Sequence, residues 1–481
     1  MTVPVSGLRR DADWTPVHVG VAGLGVAGFA CADSMLHLGA SVTVVDSATE
    51  GRVAERAGLL EVLGATVRLG DGDTLPDGLD LLVVSPGLPP SQPVIAAALA
   101  REVPVWGELE LAWRLRDPHR PAPWLLVTGT NGKTTTTLML ESMLRAAGLR
   151  TVAAGNIGHS LVETVMDPAG LDVIAVEVGA PQLPFVHTIS PQAAACLNVA
   201  PDHVDHFGGY EAYVAAKARV FERVQLACVY NVADPATEAM VAEADVVEGA
   251  RAVGFTLGVP GLSMLGVVDD MLVDRAFVED RATHAQELAS VDDVRPAAPH
   301  NVANALAAAA LARAHGVPAS AVREGLAQFE PAGHRIADAG TVDGVRFVDD
   351  SKATNAHAAE TSLSGYDPVV WIAGGLAKGQ RFDDLVVRAA PRLRGVVLLG
   401  ADREVFRDAL ARHAPDVPVV EVERRDTGAM DDVVRAAHGL ARPGDTVLLA
   451  PGCASWDMFR DYAARGDAFV AAVRALPGTH A

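Results

Sequence analysis

Short apolar runs alternate with longer amphipathic stretches along almost the whole chain. "VHVGVAG" (Val17–Gly23), "SVTVVD" (Ser41–Asp46), "LDLLVVSPG" (Leu79–Gly87), "WLLVTG" (Trp124–Gly129), "DVIAVEV" (Asp172–Val178) and "AAACLNVA" (Ala193–Ala200) are too short for helices and mostly apolar at consecutive positions. That pattern predicts strands buried on both faces. "TTTLMLESMLRAAG" (Thr135–Gly148) and "HNVANALAAAALARAHG" (His300–Gly316) predict helices. Alternation of this kind predicts an α/β fold with parallel sheets. Two Pro-containing polar stretches, Arg114–Pro123 and Gln328–Arg335, interrupt the periodic segments and divide the chain into three domains, 1–113, 114–331 and 332–481. The least regular segment, Glu279–Pro299, is predicted to be surface loop.

Composition narrows the class. The 481 residues are 50% hydrophobic and 21% charged, enough to bury three cores. The net charge of −21, with scattered Lys and Arg, argues against a nucleic-acid partner. Cys31, Cys196, Cys228 and Cys453 form no CxxC pair, which fits a reducing compartment. The N-terminus lacks a signal-peptide core, and no apolar run approaches the roughly 18 residues of a membrane span. A cytoplasmic protein without membrane insertion is expected.

Several strand ends carry chemistry. Gly23, Gly25 and Gly28 form GxGxxG after one strand, and Asp46 ends the next. Alone, this is the dinucleotide fingerprint and points to a dehydrogenase. "LLVTGTNGKTTTT" is a stronger signal. A strand runs into Gly129-Thr130-Asn131-Gly132-Lys133-Thr134 and then into a helix. Backbone N–H groups there would cradle phosphates, with Lys133 on the β/γ-phosphates and Thr134 on Mg²⁺. The loop is two residues shorter than GxxxxGK[ST], so it is a variant phosphate loop. Glu177 stands at a strand's carboxyl end, where a carboxylate can hold Mg²⁺. In "PDHVDHF", His203 is placed for a metal near the phosphates and His206 reads as an ordinary loop residue. The spacing does not match a zinc motif. Lys217, on an apolar helix face, is expected to snorkel to solvent. Further along, "VDDSKATN", "IAGGLAKG" and "LLAPGCASW" end strands in polar turns, which predicts one site at the carboxyl edge of a sheet.

Together these residues resemble the Mur ligase family, ATP-dependent amide-forming enzymes of peptidoglycan synthesis. The markers are TGTNGKTTT, Glu177, "NVAPDHVDHF" with Lys217, "HNVANALAA", Gly333-His334-Arg335 and "DDSKATN", in the family's order and across nearly the whole chain. "DDSKATN", "AGGLAKG" and "APGCASWDMFRDYAARGDAF" resemble the branch that adds D-glutamate to UDP-N-acetylmuramoyl-L-alanine. The resemblance implies an N-terminal Rossmann-like domain for the UDP-sugar, a central P-loop domain for ATP and a C-terminal Rossmann-like domain for the amino acid. It implies catalytic roles for Lys133, His203, Lys217 and Lys352. It places ATP on Gly129, Thr130, Asn131, Gly132, Lys133, Thr134, Thr135, Asn301, Asn304, Arg335 and Asp350. Mg²⁺ would fall to Thr134, Glu177, His203 and Lys217, the last as an N-carbamate. UDP-N-acetylmuramoyl-L-alanine would meet Gly25, Val26, Ala27, Asp46, Ser85, Asn156 and Gln182. D-glutamate would meet Thr354, Lys378, Ser455 and Tyr462. Small-molecule substrates and a monomeric chain are expected. The chain departs from the family at Gly179-Ala180-Pro181, where many members have Ser-Ser-Phe, at Pro201, commonly acidic, and at Ser47-Ala48, where some members place an arginine. A sibling ligase or a folylpolyglutamate synthase-like enzyme is the alternative.

Overall fold

The structure is a computed structural model that describes residues 5–202, 204–330, 333–477 and 479–480. The residues up to Phe329 form one compact unit, and those from Glu330 form a second.

The first unit contains two sheets. Strands β1 (His18–Ala22), β2 (Ser41–Asp46), β3 (Thr66–Leu69), β4 (Leu81–Val84) and β5 (Val105–Gly107) pair in parallel in the order 3-2-1-4-5. The order reverses at β1, so the turn after β1 lies at the crevice where open α/β sheets bind ligands. The second sheet has nine strands. Its parallel core is β6 (Trp124–Thr128), β7 (Thr151–Gly155), β8 (Val173–Glu177), β9 (Ala193–Cys196), β10 (Ala227–Asn231) and β11 (Arg251–Phe255). Strands β12 (Met264–Val268), β13 (Met271–Asp274) and β14 (Gln286–Ser290) extend it, giving the order 14-13-12-11-10-9-6-8-7. β6 therefore sits between β9 and β8, and the phosphate loop leaves from the middle of the parallel core.

The segment Glu279–Pro299 is not all loop. β14 pairs antiparallel with β13, and Val291–Asp293 form a 3-10 turn. Only Leu288 and Ala289 of the strand are buried, too few to produce a readable alternation. Pairing with β13 and packing against the apolar face of helix Ala319–Gln328 supply the order that local pattern lacks. That helix is pressed on the helix Lys133–Ala146, since a Cβ on Gly325 would stand 2.4 Å from the Met143 Cα.

One apolar core runs through both sheets, joining Val21, Val44 and Leu81 of the first to Leu126, Ile174 and Ala194 of the second. The helix Glu108–Arg114 is the coupling element. Its buried Glu110 accepts from the backbone N–H groups of His187 (2.8 Å) and Thr188 (2.9 Å). Glu108 accepts from Ser160 Oγ at 2.7 Å and Leu161 N at 2.9 Å. Buried carboxylates saturated by donors fix geometry where one-sided pairing would cost stability.

The second unit is a seven-stranded sheet. β15 (Ala337–Val342), β16 (Val345–Asp349), β17 (Val369–Gly374), β18 (Leu393–Leu399), β19 (Val419–Glu421), β20 (Thr446–Leu449) and β21 (Thr479–His480) stand in the order 19-18-17-20-16-15-21. β17, β20 and β16 are parallel neighbours, so their carboxyl-end loops emerge side by side. These are the three polar turns picked out by their sequences.

Candidate functional site

The glycine turn after β1 is built for close approach. Gly23 has φ +88°, and a Cβ on Gly28 would stand 1.8 Å from the Gly23 carbonyl oxygen. A Cβ on Gly25 would meet nothing within 4 Å, and the helix Val26–His37 that follows has no side-chain cap. The N–H groups of Val26 and Ala27 thus begin a helix at an open surface, a geometry suited to an anion. Asp46 serves this turn: its carboxylate accepts from Leu24 N at 2.6 Å and Ala48 N at 2.7 Å. Ser85 Oγ donates to the Gly23 carbonyl at 2.7 Å. In a dehydrogenase the equivalent carboxylate takes a ribose hydroxyl; here Oδ2 holds the glycine turn and Oδ1 the turn that follows β2.

The second turn follows β6. Gly129 has φ +152° and Gly132 φ +83°, and a Cβ on Gly132 would stand 2.4 Å from Asn304 Oδ1. Asn304 donates to Asn301 Oδ1 at 3.3 Å, and Asn301 to the Pro296 carbonyl at 3.2 Å, so helix Pro299–Ala314 backs the loop with two buried amides. From the other side Asn198 accepts from Thr130 N (3.0 Å) through its carbonyl and from Asn131 N (2.9 Å) through Oδ1. Thr130 Oγ1 lies 2.9 Å from the Tyr213 hydroxyl. Lys133 Nζ donates to the Gly129 and Thr130 carbonyls at 2.9 and 2.8 Å, folding along the loop it begins to leave. Thr134 and Thr135 occupy the next positions of the helix Lys133–Ala146.

Glu177 ends β8, the neighbour of β6. It is 2% exposed; Oε1 accepts from Asn156 Nδ2 at 2.9 Å, while Oε2 is buried without a hydrogen-bond partner among the described residues. A buried carboxylate oxygen lacking a donor is costly, and a hard cation bound by oxygens removes that cost. The residues present therefore fit Mg²⁺. Among the described residues no group of three His, Cys, Asp or Glu is placed to hold a metal, and His203 lies outside the described residues. Gly179-Ala180-Pro181 enters a 3-10 turn, Ala180–Phe185, kept in shape by Gln182 Oε1 accepting from Gly179 N at 2.8 Å.

Lys217 does not snorkel. It is 1% exposed on helix Tyr210–Ala218, with Nζ 4.8 Å from the Tyr213 ring centroid. Tyr213 pins this helix against the phosphate loop, which closes the route to solvent. Burial, and then the nearby Lys133 cation, lower the Lys217 pKa to about 7.

In the second unit the "DDSKATN" turn is tightly held. Asp349 accepts from Ser351 N at 2.9 Å and lies 2.6 Å from His334 Nδ1. Asp350 accepts from Ser362 Oγ; burial raises its pKa to about 6, opposed by that bond and by Arg335. Lys352 Nζ lies 4.0 Å from the Tyr462 ring centroid, and Lys378 Nζ 4.3 Å from that of Trp456, which is 64% exposed. Ser455 is buried, and Thr354 is half-buried beside Asn355, whose Oδ1 caps helix Ala356–Leu363. Arg465 was not among the residues picked from sequence. It is 1% exposed and donates to Ser351 Oγ (3.0 Å), the Ser351 carbonyl (2.7 Å) and the Cys453 carbonyl (3.1 Å), tying two of the three turns together. Asn198 and Tyr213 were missed likewise. All three act through contacts distant in sequence; Asn198 and Arg465 lie inside quoted family markers, but those markers do not show what either side chain holds.

Comparisons with known proteins agree along the chain. Residues 17–107 match the family described as Mur ligase MurD-like, N-terminal domain, residues 127–312 the Mur ligase middle domain, and residues 334–453 the Mur ligase, glutamate ligase domain. A UDP-N-acetylmuramoylalanine--D-glutamate ligase of Streptomyces coelicolor is 61% identical over 97% of this chain and 99% of its own. Its counterpart in Thermobifida fusca is 55% identical over 96% and 99%. Among solved structures, UDP-N-acetylmuramate-alanine ligase from Thermotoga maritima aligns with TM-score 0.54 at 20% identity, covering 95% of this chain and 98% of that one. A pseudomurein peptide ligase type C from Methanothermus fervidus aligns with TM-score 0.58 at 17% identity, covering 95% and 99%. At such identities these two show the three-domain α/β fold alone, whereas the full-length relatives and the three domain matches settle the descent: the chain belongs to the Mur ligase family.

Proposed function

We propose that this chain is the ADP-forming ligase that joins D-glutamate to UDP-N-acetylmuramoyl-L-alanine, a step of peptidoglycan precursor synthesis. The relatives named for that reaction span the whole chain. The observation that carries the chemistry is the phosphate loop flanked by an unpartnered buried carboxylate oxygen on Glu177 and a buried amine on Lys217. A substrate carboxylate attacks the γ-phosphorus of ATP, the bond to ADP breaks, and an acyl phosphate results. The D-glutamate amine then attacks the acyl carbon, phosphate leaves with the bonding pair, and the nitrogen loses a proton.

Both steps bring anions together, so the protein must supply positive charge and dipoles. In the first unit, Gly129, Thr130 and Asn131 shape the loop, the N–H groups of Gly132 to Thr135 at the start of the helix receive phosphate, and Lys133 offsets the charge on the transferring group. Asn301 and Asn304 meet the nucleotide. Thr134, Glu177, His203 and Lys217 as a carbamate would hold Mg²⁺, which neutralises phosphate charge when bound. The turn at Gly25, Val26 and Ala27 takes the pyrophosphate of the UDP-sugar, with Asp46 and Ser85 shaping it, and Asn156 and Gln182 completing that side. In the second unit, Arg335 and Asp350 meet the nucleotide, and Lys352 acts in catalysis. Thr354, Lys378, Ser455 and Tyr462 receive D-glutamate, a lysine at the mouth favouring an acidic side chain. The bounds 1–113, 114–331 and 332–481 divide UDP-sugar, ATP and amino-acid binding; the 331/332 bound falls on residues outside those described. No helix among the described residues is long and apolar enough to cross a membrane; a cytoplasmic monomer acting on small molecules completes the reading.

The test is isotopic. With heavy oxygen in the carboxylate of UDP-N-acetylmuramoyl-L-alanine, one labelled atom is expected in the inorganic phosphate formed with each amide. Unlabelled phosphate alongside amide product would exclude the acyl phosphate.

A further inference from the structure

Away from the phosphate loop, the first unit contains a cavity of about 390 Å³ lined by Arg10, Arg116, Arg120 and Arg150, with Asp117 and Asp167. Its place in the fold separates it from the chemistry. Ala122, Arg150 and Asp172 immediately precede or lie just before β6, β7 and β8, which run parallel, so the cavity opens at the amino edge of the sheet. The phosphate loop leaves the carboxyl edge, about 15 Å away along strands of this length.

Four guanidiniums converging in a chain of net charge −21 need a reason. The carboxylates present supply it only in part. Asp172 is shared by Arg120 (2.7 Å) and Arg150 (3.2 Å), so one negative charge serves two cations. Asp117 and Asp167 keep their charge while Oδ1 of each is held by N–H groups of its own turn; those of His119 and Arg120, with help from Arg10, lower the Asp117 pKa, so four guanidiniums face three carboxylates. Arg10 donates to the Val165 and Met166 carbonyls at 3.1 and 3.2 Å. Arg116 lies against the Trp113 ring, 3.1 Å from its centroid, and donates to the Trp113 and Ala122 carbonyls at 3.0 and 3.4 Å. Carbonyls and rings orient a guanidinium without cancelling its charge. Burial and the nearby Arg9 lower the Arg116 pKa to about 10, as expected for a cation without an anion beside it.

We propose that this cavity is a second anion site, which takes the phosphate groups of a small phosphorylated molecule on Arg10, Arg116, Arg120 and Arg150. Planar guanidiniums match phosphate oxygens in pairs, and the volume falls within the range of small-molecule sites. The ligand would meet both the N-terminal segment, through Arg10, and the connection Arg114–Pro123, through Arg116 and Arg120. Occupancy would therefore brace the connection between the UDP-sugar-binding and ATP-binding domains.

Pyrophosphate is the probe, titrated calorimetrically into the full chain without divalent metal at about 0.15 M salt. The Lys133→Ala background weakens binding at the phosphate loop, and saturating UDP-N-acetylmuramoyl-L-alanine fills the turn at Gly25, Val26 and Ala27 throughout the titration. Pyrophosphate is expected to bind Lys133→Ala protein, and the added pair Arg120→Gln/Arg150→Gln to weaken it about tenfold or more. Both arginines are partly exposed, and unchanged circular dichroism and D-glutamate-dependent turnover in an otherwise wild-type Arg120→Gln/Arg150→Gln chain would show the fold intact. If that pair does not fold, Arg150→Gln alone carries the comparison. No binding to Lys133→Ala protein, or equal binding after loss of the arginines, overturns the site. Citrate binding as tightly as pyrophosphate overturns the phosphate class.

Discussion

Lys133→Ala is expected to lower D-glutamate-dependent ADP release by about three orders of magnitude, the loss seen when a charge aimed at a transferring phosphoryl group is removed. Lys133 is the first residue of its helix and bonds two carbonyls of the loop before it, so its charge is held against the loop at the helix start. The same contacts mean that the substitution also loosens the loop. Lys133→Arg separates the two effects. It keeps a cation but replaces a compact ammonium with a planar fork, and is expected to fold normally yet remain far below wild type. Steady-state ADP release, with thermal unfolding as the control for folding, measures both. Wild-type turnover in the alanine variant would remove the phosphate loop from the mechanism.

Lys217→Met is expected to lose turnover by a factor of about one hundred or more while gaining stability. The loss follows if the buried amine is converted to a carbamate that holds metal. Carbamylation requires the neutral amine, and a pKa near 7 makes that form abundant at neutral pH. The gain follows from linkage. In buffer depleted of carbon dioxide, the folded pKa of about 7 lies below the ordinary 10.5. The unfolded state then binds more protons across that window, so the contribution of Lys217 to stability is unfavourable at pH 7 and recovers as pH rises towards 10.5. Methionine removes the titration, and its advantage in denaturant midpoint should shrink with rising pH. Labelled bicarbonate should give a carbamate carbon resonance in the wild type that the variant lacks. A variant with wild-type turnover, or a wild type without the resonance, would contradict this role.

How much could be read from the chain is decided residue by residue. The turns at Gly23–Gly28 and Gly129–Lys133 were legible because positive φ and close approach demand glycine at fixed spacing. What the first turn binds was not legible locally: Asp46 looks like a ribose ligand, and the structure spends its carboxylate on Leu24 and Ala48. Lys217 reads as a solvent-seeking lysine because burial is a tertiary property, set here by Tyr213 of its own helix bonded to Thr130 of the phosphate loop. Arg465 lies 114 residues from Ser351, the turn it holds, and although it stands in a stretch that resembles the family, only the fold brings its guanidinium to that turn. β14 was hidden for the same reason, since an edge strand with two buried residues acquires its register from its neighbour. Glu177 shows the opposite case: its place at a strand end was readable, and the structure added the unpartnered oxygen that gives the position a chemical purpose.

The proposed function requires one substrate pairing. Release of ADP should be measured across a panel of amino acids, of both hands, with ATP, Mg²⁺ and UDP-N-acetylmuramoyl-L-alanine present. The predicted result is turnover with D-glutamate, little with L-glutamate or D-alanine, and none when the UDP-sugar is omitted. Turnover with another amino acid and none with D-glutamate would contradict it.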